Sequence, residues 1–221
     1  VEEQGVPAET LVRSGRPSIE VLAAAADISA DLIAMSTHGR RSRPGGRRGS
    51  TADKILRIAT LPVLTAGPGT SPLEEGRAHF RRILVPLDGS PEAEAAVELA
   101  VELGRALGAD VELFRVVTRL MGHYGMEPPA GYPFHLDEKR EREARAYLRE
   151  IQQRYPEVIP EIRTCVGLPA ADIRSAVDSG DYDLVVMTSR GRYGREAWSL
   201  GSVADEVIEG PTPVIVLPPS R

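Results

Sequence analysis

Three short runs in this chain are apolar without a break: ILVP at 83–86, LVVM at 184–187 and VIVL at 214–217. A strand with one wet face alternates apolar and polar residues, so an unbroken run has to be covered on both sides. That demand is met by a parallel sheet with helices on both faces. The segments between the runs fit. SPEAEAAVELAVELGRALGA (90–109) opens on a Ser N-cap with Pro in the first turn and stops at Gly108. Its apolar face is Ala93, Val97, Ala100, Val101, Leu103 and Leu107. DVELFRVV (110–117) and PEIRTCVG (160–167) read as further strands. LDEKREREARAYLREIQQRY (136–155), PAADIRSAVDSG (169–180) and SVADEVIEG (202–210) read as helices. Residues 118–135 carry Gly, Pro and aromatics without a period and are expected to be a long loop, a lid or disordered.

The back half of this pattern occurs twice. At a displacement of about 152 residues, Gly15 falls on Gly167, Asp31-Leu32 on Asp183-Leu184, and Met35 on Met187. Gly39-Arg40 falls on Gly191-Arg192, Gly49-Ser50 on Gly201-Ser202, and Ala52-Asp53 on Ala204-Asp205. No gap is needed across the intervening loop. Loops drift in length first, so a conserved span points to function, with shared ancestry of the two copies as the bland alternative. The predicted organisation is a partial first copy (1–67), a Pro- and Gly-rich linker (68–80) and a complete second copy (81–219). The first copy starts at AETLVRSG, which matches strand three, and ends on PVLTAG (62–67).

The totals exclude several classes. A formal net charge of −5 argues against a duplex nucleic-acid binder. No apolar run approaches a membrane span. No signal peptide is visible, although the chain opens on Val1. One cysteine, Cys165, forbids an internal disulfide and suits a reducing compartment, so a cytoplasmic location is expected. In the alternating EIRTCV run it reads as a small buried strand residue. No His/Cys set has metal spacing, no Gly-Lys-Ser/Thr phosphate loop is present, and no Ser-His-Asp set is apparent. Neither catalytic residues nor metal ligands are therefore assigned.

The ordered set ILVPLDGS, DLVVMTSRG, GSVADEVI and TPVIVLP resembles the universal stress protein family. The resemblance covers about 135 residues of the second copy and roughly 65 of the first. It implies an open parallel five-stranded α/β sheet of order 3-2-1-4-5, Rossmann-like, in a tandem chain whose first domain lacks its front half. The family's nucleotide motif is Gly, two residues, Gly, nine residues, Gly, then Ser or Thr. Here Gly191, the nine residues 192–200 and Gly201-Ser202 match it, while Thr188 stands at the first glycine, as Ser36 does in the other copy. The resemblance implies an ATP or other adenine-nucleotide site, with Mg²⁺ as companion. Its residues are Pro86, Leu87, Asp88 and Val116 on the nucleoside side. On the phosphate side they are Met187, Thr188, Arg190, Gly191, Gly201, Ser202 and Val203. It also implies self-association through the last strands, 62–66 and 213–217, within a chain or as a homodimer.

The residue chemistry agrees. Oxyanions want fixed N–H donors, and a helix start offers unpaired amides with partial positive charge. Gly201-Ser202 precede such a start, and a plain Ser N-cap is the competing explanation. Arg190, Arg192 and Arg195 can neutralise phosphate or be solvated loop charges. The first copy's loop, with Arg40, Arg41, Arg43, Arg47 and Arg48, poses the same choice. Asp88 suits a ribose hydroxyl or Mg²⁺ rather than bare phosphate; the alternative is a helix-entry carboxylate supporting Ser90. Tyr124, Tyr132 and Phe134 can fold over a base. The expected function is nucleotide-dependent regulation in a stress response without strong catalysis. Slow ATP hydrolysis or autophosphorylation, and a nucleotide-free dimerisation scaffold, are the alternatives.

Overall fold

A computed structural model describes residues 7–38, 48–67, 70, 80–119, 132–189 and 200–218. Its elements in chain order are α1 (Pro17–Asp27), β1 (Ile33–Ser36), α2 (Ser50–Ile58), β2 (Val63–Ala66), β3 (Arg82–Pro86), α3 (Pro91–Leu107) and β4 (Asp110–Thr118). They continue with α4 (Phe134–Gln152), β5 (Glu161–Gly167), α5 (Pro169–Asp178), β6 (Leu184–Thr188), α6 (Ser202–Val207) and β7 (Val214–Leu217). Most of the linker, 68–80, and the loop segments 39–47 and 190–199 lie outside the described residues.

The strands form one seven-stranded sheet in the order β1-β2-β7-β6-β3-β4-β5. Within it, β5-β4-β3-β6-β7 is the expected 3-2-1-4-5 order, parallel at every step. The sheet then continues past five strands. β2 pairs antiparallel with β7, placing Val63 opposite Val216, Leu64 opposite Ile215 and Thr65 opposite Val214. β1 pairs parallel with β2 and is the sheet's edge. The expected first-copy strand at 8–15 is not a strand; residues 7–14 carry no regular structure, and the chain enters α1 at Pro17. Pairing explains the difference: the matching strand β5 bonds only β4, the described residues of 7–67 contain no strand equivalent to β4, and an isolated strand cannot satisfy its own backbone groups.

The unbroken apolar runs behave as their composition demands. Ile83, Leu84, Val85, Val185 and Val186 are fully enclosed. Leu84 and Val185 face a cluster with Ile173, Ala176 and Val177 of α5, Ala204 and Val207 of α6, and Ile55 and Leu56 of α2. Ile83, Val85 and Val186 face the opposite cluster with Ala93, Val97 and Val101 of α3 and Leu148 and Ile151 of α4. Each such side chain contributes about 1.5–3 kcal/mol by leaving water. The helix ends obey local rules. Ser90 caps α3 by accepting from Ala93 N–H at 3.3 Å, and Gly108 ends it in the left-handed region at φ +66°. Among the described residues no helix is long and apolar enough to cross a membrane.

Candidate functional site

The strand order decides where a crevice opens. β3 and β6 are neighbours, pairing Ile83 with Leu184 and Leu84 with Val185. From the end of β3 the chain turns into α3 on one face; from β6 it proceeds to α6 on the other. Adjacent parallel strands whose helices leave on opposite faces bound a crevice at their carboxyl ends.

The β3 side is built tightly. Pro86 ends the strand, and Leu87 is buried, its N–H donating to Phe114 O at 2.8 Å. Asp88 Oδ1 accepts from Ser90 N–H at 2.9 Å and from Ser90 Oγ at 2.6 Å. The helix-entry role raised for this carboxylate is thus realised in the geometry: Asp88 orders Ser90, and Ser90 caps α3. Gly89 follows at φ +80°, and a Cβ built there would lie 2.6 Å from Arg115 Nη2. Arg115 crosses from β4, its guanidinium 5.0 Å from the centre of the Tyr147 ring. Burial, followed by the charge of Glu94, pushes the Tyr147 phenol well above its usual range. Val116 is buried on β4 and registers with Cys165 of β5.

On the β6 side, Met187 and Thr188 are buried at the strand's end. Ser189 N–H donates to Leu217 O at 2.8 Å, and Gly201 N–H donates to Ser189 O at 2.8 Å. The second of these bonds closes the base of the loop that holds Arg190 and Gly191, both of which lie outside the described residues. Gly49 N–H donates to Thr37 O at 2.8 Å in the same way. The equal loop spans read from the sequence therefore sit on equal closures. This bond also revises one expectation. The Gly201 amide is engaged, so the first-turn donors of α6 without an intrahelical acceptor begin at Ser202 and Val203. Ser202 is exposed and Val203 packs partly against the core.

Two side chains take roles other than those expected. Tyr132 is buried and donates its hydroxyl to Asp137 Oδ2 at 2.6 Å, with Phe134 edge-on at 4.9 Å, so its polar end is committed to α4. Tyr124 lies outside the described residues. Arg48, grouped with the phosphate-seeking arginines, is buried among carboxylates instead. Arg115 and its contact with Gly89 were missed altogether. The available signal was a lone arginine inside the otherwise apolar end of DVELFRVV. Among the described residues no group of three or more His, Cys, Asp or Glu side chains is gathered to hold a metal.

The sequence profile of the Universal stress protein family matches residues 1–66 and 79–218. The chain belongs to the universal stress protein family. A universal stress protein of Mycolicibacterium smegmatis is 29% identical over 225 residues, covering 99% of this chain and 71% of the relative. One from Mycobacterium tuberculosis is 26% identical over 189 residues, covering 84% of this chain and 58% of its own length. The stress protein thus spans between about half and three quarters of these relatives. The crystal structure of a universal stress protein from Archaeoglobus fulgidus superposes with a TM-score of 0.68 at 22% identity, covering 99% of this chain and 72% of the other. It shares the α/β fold with its mostly parallel sheet.

Proposed function

We propose that this stress protein is a regulatory module that binds ATP or another adenine nucleotide in the crevice between β3 and β6. The carrying observation is the topology: β3 and β6 pair, and their helices leave on opposite faces. The chain that follows β3 brings Asp88; the chain that follows β6 brings the Gly191–Gly201-Ser202 motif. In this reading Pro86, Leu87 and Val116 form the wall for the base, and Asp88 faces the ribose or a phosphate-bound Mg²⁺. The N–H groups of Ser202 and Val203, with Arg190, meet the phosphates, while Gly201 leaves room for them by having no side chain. The residue types suit the ligand's chemistry: first-turn amides without intrahelical acceptors can donate to oxyanions, and a carboxylate suits a ribose hydroxyl or Mg²⁺ rather than bare phosphate. No catalytic residue is assigned among these groups, and the function proposed is binding. The described residues of 7–67 contain the closing bond at Gly49 but no counterpart of β3 or Asp88, and we assign them no nucleotide.

Equilibrium dialysis with labelled ATP tests the reading. Retention at micromolar protein is expected, and Gly201→Glu abolishes it by putting a carboxylate where the phosphates approach. No retention by the unmodified chain overturns the proposal.

A further inference from the structure

Arg48 is the most enclosed arginine of the described residues that bridges the two β2–β7-joined segments. Its side chain is 4% exposed. Nη1 donates to the Asp205 backbone carbonyl at 3.1 Å and to Glu209 Oε1 at 3.2 Å. Nη2 pairs with Asp205 Oδ1 and reaches Asp53 Oδ1 at 3.4 Å. The Arg48 backbone N–H also reaches Glu209 Oε1, at 3.3 Å. One cation from the segment before α2 thus holds the α6 region of the other segment through two carboxylates and a carbonyl. It lies beside the joint where β2 meets β7.

The sequence displacement that aligns Gly49 with Gly201 puts Leu200 in the place of Arg48, Asp205 in that of Asp53, and Glu209 in that of Arg57. The two sides of the joint are therefore alike in backbone and unlike in charge. Arg57 bonds Asp53 on its own helix, its Nε 2.9 Å from Asp53 Oδ2. Glu209 instead turns to Arg48. If β7 joined the β7 of a second molecule in the same antiparallel manner, Leu200 would meet the other molecule's Asp205 and Glu209. Those carboxylates would then have an apolar side chain where Arg48 now stands. Partner choice is a difference between such arrangements, and a poorly paired charge in the wrong one is an effective discriminator.

We propose that Arg48 is the residue that selects the partner of β7, favouring β2 of the same chain over β7 of a second copy. The selection acts through charge: the β2 partner brings the Arg48 guanidinium to Asp205 and Glu209, and among the described residues the β7 partner brings the apolar Leu200 in its place.

The test uses the full chain. Arg48→Glu sets a fourth carboxylate against Asp53, Asp205 and Glu209; Arg48→Gln is the milder companion should the first fail to fold. Hydrogen exchange is followed at Val63, Leu64, Thr65, Val214, Ile215 and Val216, with Leu84 and Leu113 as internal references. Mass is followed by light scattering against concentration. The expected result is at least tenfold faster exchange in β2 for either variant, unchanged reference amides, and a doubling of mass relative to the unmodified chain as concentration rises. Adding Asp205→Asn and Glu209→Gln to Arg48→Glu is expected to restore both readouts, which loss of arginine packing alone would not allow. Unchanged exchange overturns the proposal. So does faster exchange without the doubled mass, or a doubled mass that the neutralising changes fail to reverse.

Discussion

Replacing Gly89 by alanine tests how the end of β3 is shaped. Gly89 sits at φ +80°, where a Cβ costs about 1–2 kcal/mol against the backbone. That Cβ would also lie 2.6–2.7 Å from three atoms of the Arg115 guanidinium, so the arginine has to swing away. Leaving the Tyr147 ring forfeits about 0.5–1 kcal/mol of cation–π attraction. The sum is about 2 kcal/mol, or roughly a 4–8 °C fall in Tm for a chain of this size. Gly108 provides the matched control, since it is left-handed at φ +66° with nothing within 4 Å of an added Cβ. Gly108→Ala therefore carries the backbone cost alone. Urea unfolding of both variants, at unchanged m-value, should place Gly89→Ala below Gly108→Ala by about 0.5–1 kcal/mol, following the lost ring contact. The gap should close when Gly89→Ala is made in an Arg115→Ser background. Equal costs for the two glycines, or a gap that survives Arg115→Ser, would refute the account of this turn.

Three further outcomes are expected. Asp53 has its carboxyl held below the usual value of 3.8, first by the hydrogen bond from Arg57 and also by the charges of Arg57 and Arg48. A depressed folded-state pKa contributes stability above the unfolded value and loses it as pH falls through the folded one. Asp53→Asn should accordingly be less stable than the unmodified chain at pH 7, with the difference shrinking as pH falls below 3.8, measured by urea midpoints across pH. Cys165 has its thiol pushed up to about 11, by burial and by the charge of Asp172. Its alkylation by iodoacetamide at pH 8 should run about a hundredfold slower than that of a small-molecule thiol whose pKa is near 9, and rise tenfold per pH unit. Leu84→Ala, in the fully enclosed centre of β3, should cost about 2–5 kcal/mol in the same urea assay.

Much of the fold was legible because it rests on local rules. Ser90, Pro91 and Gly108 announce both ends of α3 wherever that helix packs. ILVP and LVVM announce strands covered on both faces by lacking alternation. Segment 8–15 misled because likeness in sequence to 160–167 does not supply the neighbouring strand that β5 finds in β4. The candidate site divides the same way. Asp88 and Gly201-Ser202 were readable from residue type and spacing. The Gly201 amide's bond to Ser189 was not, since it depends on how the loop returns to its own base. Arg115 escaped notice because its partners, Gly89 and Tyr147, come from other elements.

The amino-acid order by itself determined the alternation of strands and helices, the helix caps and the two glycine loops of equal span. These depend on periodicity, backbone freedom and side-chain capping, all of which act within a few residues. Only the tertiary structure decided that seven strands make one sheet, that β2 lies against β7, and that Arg48 belongs with Asp205 and Glu209 rather than with a phosphate. A guanidinium's partner is set by which carboxylates share its buried surroundings, and those come from residues more than 150 positions away.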